Sequence, residues 1–162
     1  MSVEIRRAGP EDAVPLALLG RVTFAGSFGG LFRDHPGDLR RYLDASFGVE
    51  KVARSLAKPE NAWWLALRHG LPVGYAKRKA PAAGRGAQLQ RLYVLGEFLG
   101  EGIGHALLAP VLEEAPALWL AVLRENARAI RFYAAHGFAV LGEERHAIGA
   151  REFRFHRMER RG

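Results

Sequence analysis

The sequence predicts one α/β domain built on a mixed β-sheet with helices on both faces. Three observations carry that expectation. Residues 89–137 alternate strand, helix, strand, helix, a pattern that favours parallel neighbours covered by helices. Two apolar runs flanking His69-Gly70, before that unit, and a pair of alternating runs after it favour antiparallel pairing. The chain has 162 residues, 49% hydrophobic and 25% charged. A domain of that size buries roughly 70% of its unfolded surface, so a core forms without staples.

Taken in order, "VEIRR" (residues 3–7) alternates as a short first strand. "GPEDAVPLALLGRVTF" (9–24) opens a helix, with Pro10 and Pro15 near its start and acids in the first turn, where the helix dipole favours them. "HPGDLRRYLDASF" (35–47) reads as a second helix with Asp38 as N-cap. "GVEKVARSLAKP" (48–59) gives a third, with Val49, Val52, Ala53 and Leu56 on one face and Pro59 as the stop. "AWWLALRHGLPVGYAKRKA" (62–80) is a strand pair turning at His69-Gly70, and "AQLQRLYVL" (87–95) is a longer strand. A glycine-rich loop and its helix follow; Pro110 removes a backbone donor there and is expected to bend or shorten the helix. "ALWLAVL" (117–123) is an apolar strand, and "NARAIRFYAAHG" (126–137) is a helix capped by Asn126 and closed by Gly137 in a left-handed turn. "FAVLGE" (138–143) and "REFRFHRM" (151–158) end the sheet, with Phe153 and Phe155 inward and Arg154 outward.

Composition narrows the chemistry. The absence of cysteine excludes disulfides, thiolate metal sites and a cysteine nucleophile. The six histidines show no metal-ligand spacing, so no metal is expected. No apolar run approaches the ~20 residues that cross a bilayer, and "MSVEIRRAGPED" lacks the apolar centre of a signal peptide. A cytoplasmic location without a membrane partner is therefore expected. The net charge of +7, carried more by arginine than by lysine, favours anionic partners, either nucleic acid or a small polyphosphate. "KRKAPAAGRG" (77–86) is basic, but aromatic residues are not interleaved with its cations. It reads as a solvated loop, and no nucleic-acid partner is expected.

The loop "LGEGIGH" (99–105) carries Gly100, Gly102 and Gly104 between strand and helix. Backbone N–H groups and the positive end of the helix converge there, which makes a phosphate site, although a tight turn into a helix has the same residues. Gly104-His105-Ala106 lacks the lysine and hydroxyl of a Walker loop, and the G-x-G-x-G spacing fits a dinucleotide fingerprint poorly. On the later helix Asn126, Ile130 and Tyr133 share a face, while Phe132 points about 100° away and reads as core. Tyr133 reads either as a second core aromatic or as a phenol facing the end of the parallel strands, where it could donate a proton.

"LYVLGEFLGEGIGHALL" followed by "NARAIRFYAAHGF" resembles, in order and separation, the two signature blocks of the GNAT superfamily of acetyl-CoA-dependent N-acetyltransferases. "IRRAGPEDAVPLALL" extends the likeness to the family's opening strand and helix. The resemblance implies a central, mostly antiparallel twisted sheet of about seven strands, splayed at two parallel strands that bind coenzyme A. It implies an enzyme that uses acetyl-CoA as cosubstrate and moves the acetyl group directly to a primary amine through a tetrahedral intermediate. The pyrophosphate is then expected against the loop of Leu99, Gly100, Glu101, Gly102, Ile103, Gly104 and His105. The pantetheine arm is expected beside Leu92, Tyr93 and Val94, with the Val94 N–H on the thioester oxygen. Asn126 contacts the arm, and Tyr133 reprotonates the departing thiolate, roles that suit a phenol near pKa 10 and a thiol near 8.5.

Leu99 stands where the family usually has Gln or Arg, Gly96 where proline is common, and Gln88 where many relatives place a glutamate base. Glu97, His105, Asp34, His35 and a water chain all stay open as the route for the amine's proton. Residues 23–47 correspond to the acceptor-selecting region, with Phe24, Phe28 and Phe32 as tentative acceptor contacts. This region is loosely similar to spermidine/spermine-type members, which makes a polyamine a candidate among small-molecule amines. Its Asp34, Asp38 and Asp44 are balanced by Arg33, Arg40 and Arg41, which argues against one. The alternatives are a protein N-terminal or lysine acetyltransferase, and a coenzyme-binding module with little turnover. Monomer and homodimer are equally open.

Overall fold

Two left-handed residues, His69 (φ 52°) and Gly70 (φ 77°), turn the chain as a two-residue hairpin loop requires. They join β2 (Asn61–Arg68) to β3 (Leu71–Lys79). The computed structural model describes residues 2–162, and this hairpin supplies the second and third strands from one edge of its seven-stranded sheet. The other strands are β1 (Glu4–Arg7), β4 (Gln88–Val94), β5 (Leu118–Leu123), β6 (Ala139–Ile148) and β7 (Arg151–Arg160). Their spatial order is β1-β2-β3-β4-β5-β7-β6, antiparallel at every junction except β4 with β5.

Period-two alternation sends successive side chains to opposite faces. Trp64, Ala66, Val73 and Ala76 join the core under α4 (Ile103–Glu114) and α5 (Ala127–Ala135), with Leu107, Leu108 and Val111 fully buried there. Trp63, Leu65 and Tyr75 face α1 (Ala13–Phe28) and α3 (Val49–Ala57). An aromatic cluster of Phe24, Phe28, Phe32, Phe47 and Phe153 fills the same side beneath α2 (Pro36–Ser46).

Several expectations change. The N-cap of α2 is His35, because Pro36 takes the first helical place, where its missing N–H costs nothing. Asp38, inside the first turn, instead accepts the Ala150 N–H at 2.9 Å and pairs with Arg41, tying α2 to the β6–β7 turn. Pro110 does not end α4, which runs on to Glu114. Val49 opens α3 and is exposed, while Val52 carries the buried face. β6 continues through Ile148, well past the expected end of its strand. The apolar-run criterion also fails for one stretch: the continuous helical segment Pro10–Phe32, 23 residues, is long and apolar enough by length and composition to cross a membrane. In the fold its Leu16, Leu19, Phe24 and Phe28 pack into the core.

The Ala150 N–H and then Arg41 hold the Asp38 carboxyl below its ordinary range. A carboxylate with a depressed native pKa stabilises above the unfolded value and loses that contribution as pH falls through the native one. Asp38→Ala is expected to lower the thermal unfolding midpoint at pH 7. The deficit against the parent should shrink below about pH 4, as followed by circular dichroism at each pH.

Candidate active site

The site begins where the sheet stops being continuous. β4 and β5 share one ladder pair, Gln88 with Trp119. Immediately beyond it β4 carries an extra residue, Gln90, between the pairs Arg78–Leu89 and Lys77–Arg91. Such a bulge bends and twists its strand. β5 is meanwhile held to β7 along its whole length and cannot follow.

Antiparallel ladders bond alternate residues. The Leu95 N–H donates to the Val73 carbonyl at 2.8 Å, and Val94 lies opposite Gly74. Alternation therefore turns the main-chain groups of Leu92 and Val94 away from β3, toward the gap. A cavity of about 390 Å³ fills that gap. Leu92, Tyr93 and Val94 form one wall, the loop into α4 the end, and Asn126, Phe132 and Tyr133 the opposite wall.

The glycines of the loop serve different needs. Gly100 (φ 84°) and Gly102 (φ 82°) are left-handed, and a Cβ on either would meet nothing within 4 Å. Their requirement is conformational, and the space beside them is open. Gly104 lies against Phe132, whose ring a Cβ there would meet at 3.4 Å, close to ordinary van der Waals contact. Gly102 is the N-cap of α4 and no side chain caps the helix, which leaves first-turn N–H groups available to an anion.

On the opposite wall Asn126 caps α5, its Oδ1 accepting the Ala129 N–H at 3.1 Å. One face of the Tyr133 ring is fixed by Phe132 and Phe138, whose centroids lie 5.3 and 5.6 Å away in edge-on contact. The Tyr133 hydroxyl has no hydrogen-bond partner among the described residues, and burial, with Tyr93 nearby, pushes its pKa up. At the loop end, His136 Nδ1 lies 2.8 Å from the Phe132 carbonyl and must carry its proton. In the neutral ring its Nε2 then accepts, so His105 Nδ1–H is the donor across 2.9 Å.

Eleven of the twelve residues expected at the coenzyme line this cavity; Glu101 turns out to pair with Arg68. Sequence reasoning missed Ser27, Phe98, Arg128, Ala129 and Phe132. Phe132 packs against the core, as its helical angle predicts, and its partly buried ring lines the cavity as well. A smaller cavity of about 70 Å³ adjoins the first, sharing Leu92, Tyr93, Asn126 and Tyr133, and adds Phe28, Gln90, Arg91 and Phe155. Of the three expected acceptor aromatics, only Phe28 lines it. Phe24 and Phe32 are core: Phe24 stacks on Phe28 and Tyr42, and Phe32 packs on Phe153. Glu97, Asp34 and His35 line neither cavity, and Gln88 sits at the closed end of the split.

The basic stretch 77–86 distributes its charges among neighbours. Arg78 pairs with Glu114, Arg85 pairs with Glu144 and lies 4.4 Å over Trp119, and Lys77 lies 5.2 Å over Trp63. Burial first, and then the cations of Arg91, Lys79, Lys51 and Lys58, bring the Lys77 ammonium down to about 7.

The sheet is thus opened between two parallel strands, with a glycine loop at one end of the opening and a buried phenol opposite. Residues 30–138 match the sequence profile of the acetyltransferase (GNAT) family. Uncharacterised N-acetyltransferases of Mycobacterium bovis and Mycobacterium tuberculosis are 33% identical over 71% of this chain and 76% of their own length. In fold, the chain is similar to the PaiA N-acetyltransferase of Thermoplasma acidophilum, solved with coenzyme A (TM-score 0.79, 23% identity, all of both chains). It is likewise similar to NAA60 of Arabidopsis thaliana, solved with a bisubstrate analogue (TM-score 0.71, 16% identity, 98% of each chain). This chain belongs to the GNAT family and is an acetyl-CoA-dependent N-acetyltransferase.

Because the native pKa of Lys77 lies below the ordinary lysine value, the folded state binds fewer protons than the unfolded chain between about pH 7 and pH 10. That term makes stability rise with pH across the window. Lys77→Met is expected to stabilise the protein most at pH 6 to 7 and progressively less toward pH 10, read from parallel thermal melts of parent and variant.

Proposed function

We propose that the enzyme acetylates a primary amine of a small molecule, with Tyr133 as general acid and the Val94 main-chain N–H on the thioester oxygen. The observation that carries this reading is the unpartnered Tyr133 hydroxyl, across one cavity from the unpaired main chain of Leu92 and Val94.

Acetyl-CoA supplies an activated acyl group. The residues of the chain bind it in three ways. Loop and first-turn N–H groups of α4 take the diphosphate, aided by the helix dipole. Leu92 and Val94 offer the pantetheine arm the hydrogen bonds that a strand neighbour would otherwise take. Arg128 lines the cavity without an acidic partner among the described residues, and so supplies the cation that Leu99 lacks.

The Val94 N–H, turned toward the gap, stabilises charge developing on the carbonyl oxygen. Burial keeps the Tyr133 phenol protonated, so the acid is always loaded. The same burial disfavours a thiolate beside it, which draws the proton across. His105 stands at the loop end, and no carboxylate lines either cavity. The proton of the incoming amine therefore leaves by water.

The direct test is thiol release from acetyl-CoA with a panel of small amines, spermidine and short peptides; release with peptides alone would move the acceptor to a protein. Tyr133→Phe is expected to lower kcat by about 10²- to 10⁴-fold with acetyl-CoA affinity little changed. Unchanged turnover removes Tyr133 from the chemistry. Gly102→Ala forces an L side chain into left-handed backbone at roughly 1–2 kcal/mol, and should both lower the melting midpoint and raise the KM for acetyl-CoA.

A further inference from the structure

The smaller cavity is lined by a buried cation with no acidic partner among the described residues, Arg91. Its guanidinium lies 4.4 Å over the Phe47 ring and meets the phenol of Tyr42 in hydrogen-bonding contact, with those of Tyr75 and Tyr93 beside it. No carboxylate among the described residues pairs with Arg91. Its cross-strand neighbour is another cation, Lys77. Gln90, the extra residue of the β4 bulge, lines the same cavity, and its Oε1 is buried without a hydrogen-bond partner.

A partly buried guanidinium left without an anion is costly, and so is a buried amide oxygen left without a donor. Both lie where the cavity meets Asn126 and Tyr133, on the side of the split away from the glycine loop. An acceptor approaching the thioester must occupy this side, because the coenzyme fills the other.

We infer that the acceptor is a small amine bearing a carboxylate, which Arg91 binds. The inference rests on the acetyl-transfer reading given above and narrows its acceptor. Arg suits the task, since its planar fork meets both carboxylate oxygens at once. About 70 Å³ accommodates a carboxylate on a short carbon chain. The flanking aromatics Phe28 and Phe155 leave the rest of the wall apolar. A polyamine, by contrast, would bring positive charge against Arg91 and Lys77 with no acid to receive it.

The test compares matched pairs of primary amines, each carboxylate paired with its neutral amide, by thiol release and by calorimetric binding to the coenzyme A complex. A phosphonate analogue of each serves as a third arm. The expected result is a preference of about tenfold or more for the carboxylate over the amide, collapsing toward unity in Arg91→Gln and partly retained in Arg91→Lys. Phosphonates favoured over carboxylates would change the anion, overturning the carboxylate assignment. A parent enzyme that prefers spermidine or the neutral amides overturns the proposal without recourse to any variant. Carboxylate-selective binding that depends on Arg91 without thiol release from any amine upholds this assignment and overturns the transfer reading. Thiol release with no charge preference does the reverse.

Discussion

The failure of β4 and β5 to pair beyond Gln88 and Trp119 is the constraint on which the rest of the molecule depends. Two opposing demands produce it. β5 is bonded to β7 from Leu118 to Leu123, which fixes its course. β4 is bonded to β3 on its other side but is bent by the extra residue Gln90. The gap exposes main-chain groups that a continuous sheet would satisfy, a cost that persists only if something else meets them. A ligand able to act as a strand neighbour would relieve that cost, which is why the proposed pantetheine contact falls on this edge of β4.

The two ends of the gap then divide the work. Near α4 the backbone is bare, left-handed at Gly100 and Gly102, and offers donors to anionic oxygens. Near the bulge the lining consists of side chains: Tyr133 with its free hydroxyl, Asn126 committed to capping, Gln90 with an unpaired amide oxygen, and Arg91 without a carboxylate partner among the described residues. Asn126 is held by α5 itself, so its position is set by helix geometry and not by a ligand. The aromatic layer under α1 and α2 keeps this half rigid, with Phe24, Phe28 and Phe47 packed on one another.

Much of this was legible in the sequence, because it is carried by local signals. Asn126 and Gly137 bracket α5 as caps do, the His69-Gly70 pair marks the hairpin, and the glycine spacing locates the loop. Tyr133 follows from helical phase relative to Asn126. What escaped reading depends on contacts between distant segments. Asp38 reads as an N-cap by its neighbours, yet its partner is Ala150, more than a hundred residues away. Phe24 and Phe32 sit in the acceptor-selecting region but are consumed by packing against Phe28 and Phe153. Gln90 and Arg91 stand as two polar residues inside an apolar strand run. Only the bulge, a property of the β3–β4 register, shows why they are there.

The paired imidazoles at the loop end give the rim one more property. His105 donates through Nδ1 to His136, which is itself anchored on the Phe132 carbonyl, so the second nitrogen of His105 is free of intramolecular duties. His105 also lines the main cavity, so its remaining ring nitrogen gives that end of the wall a polar contact whose orientation is already set from within the chain.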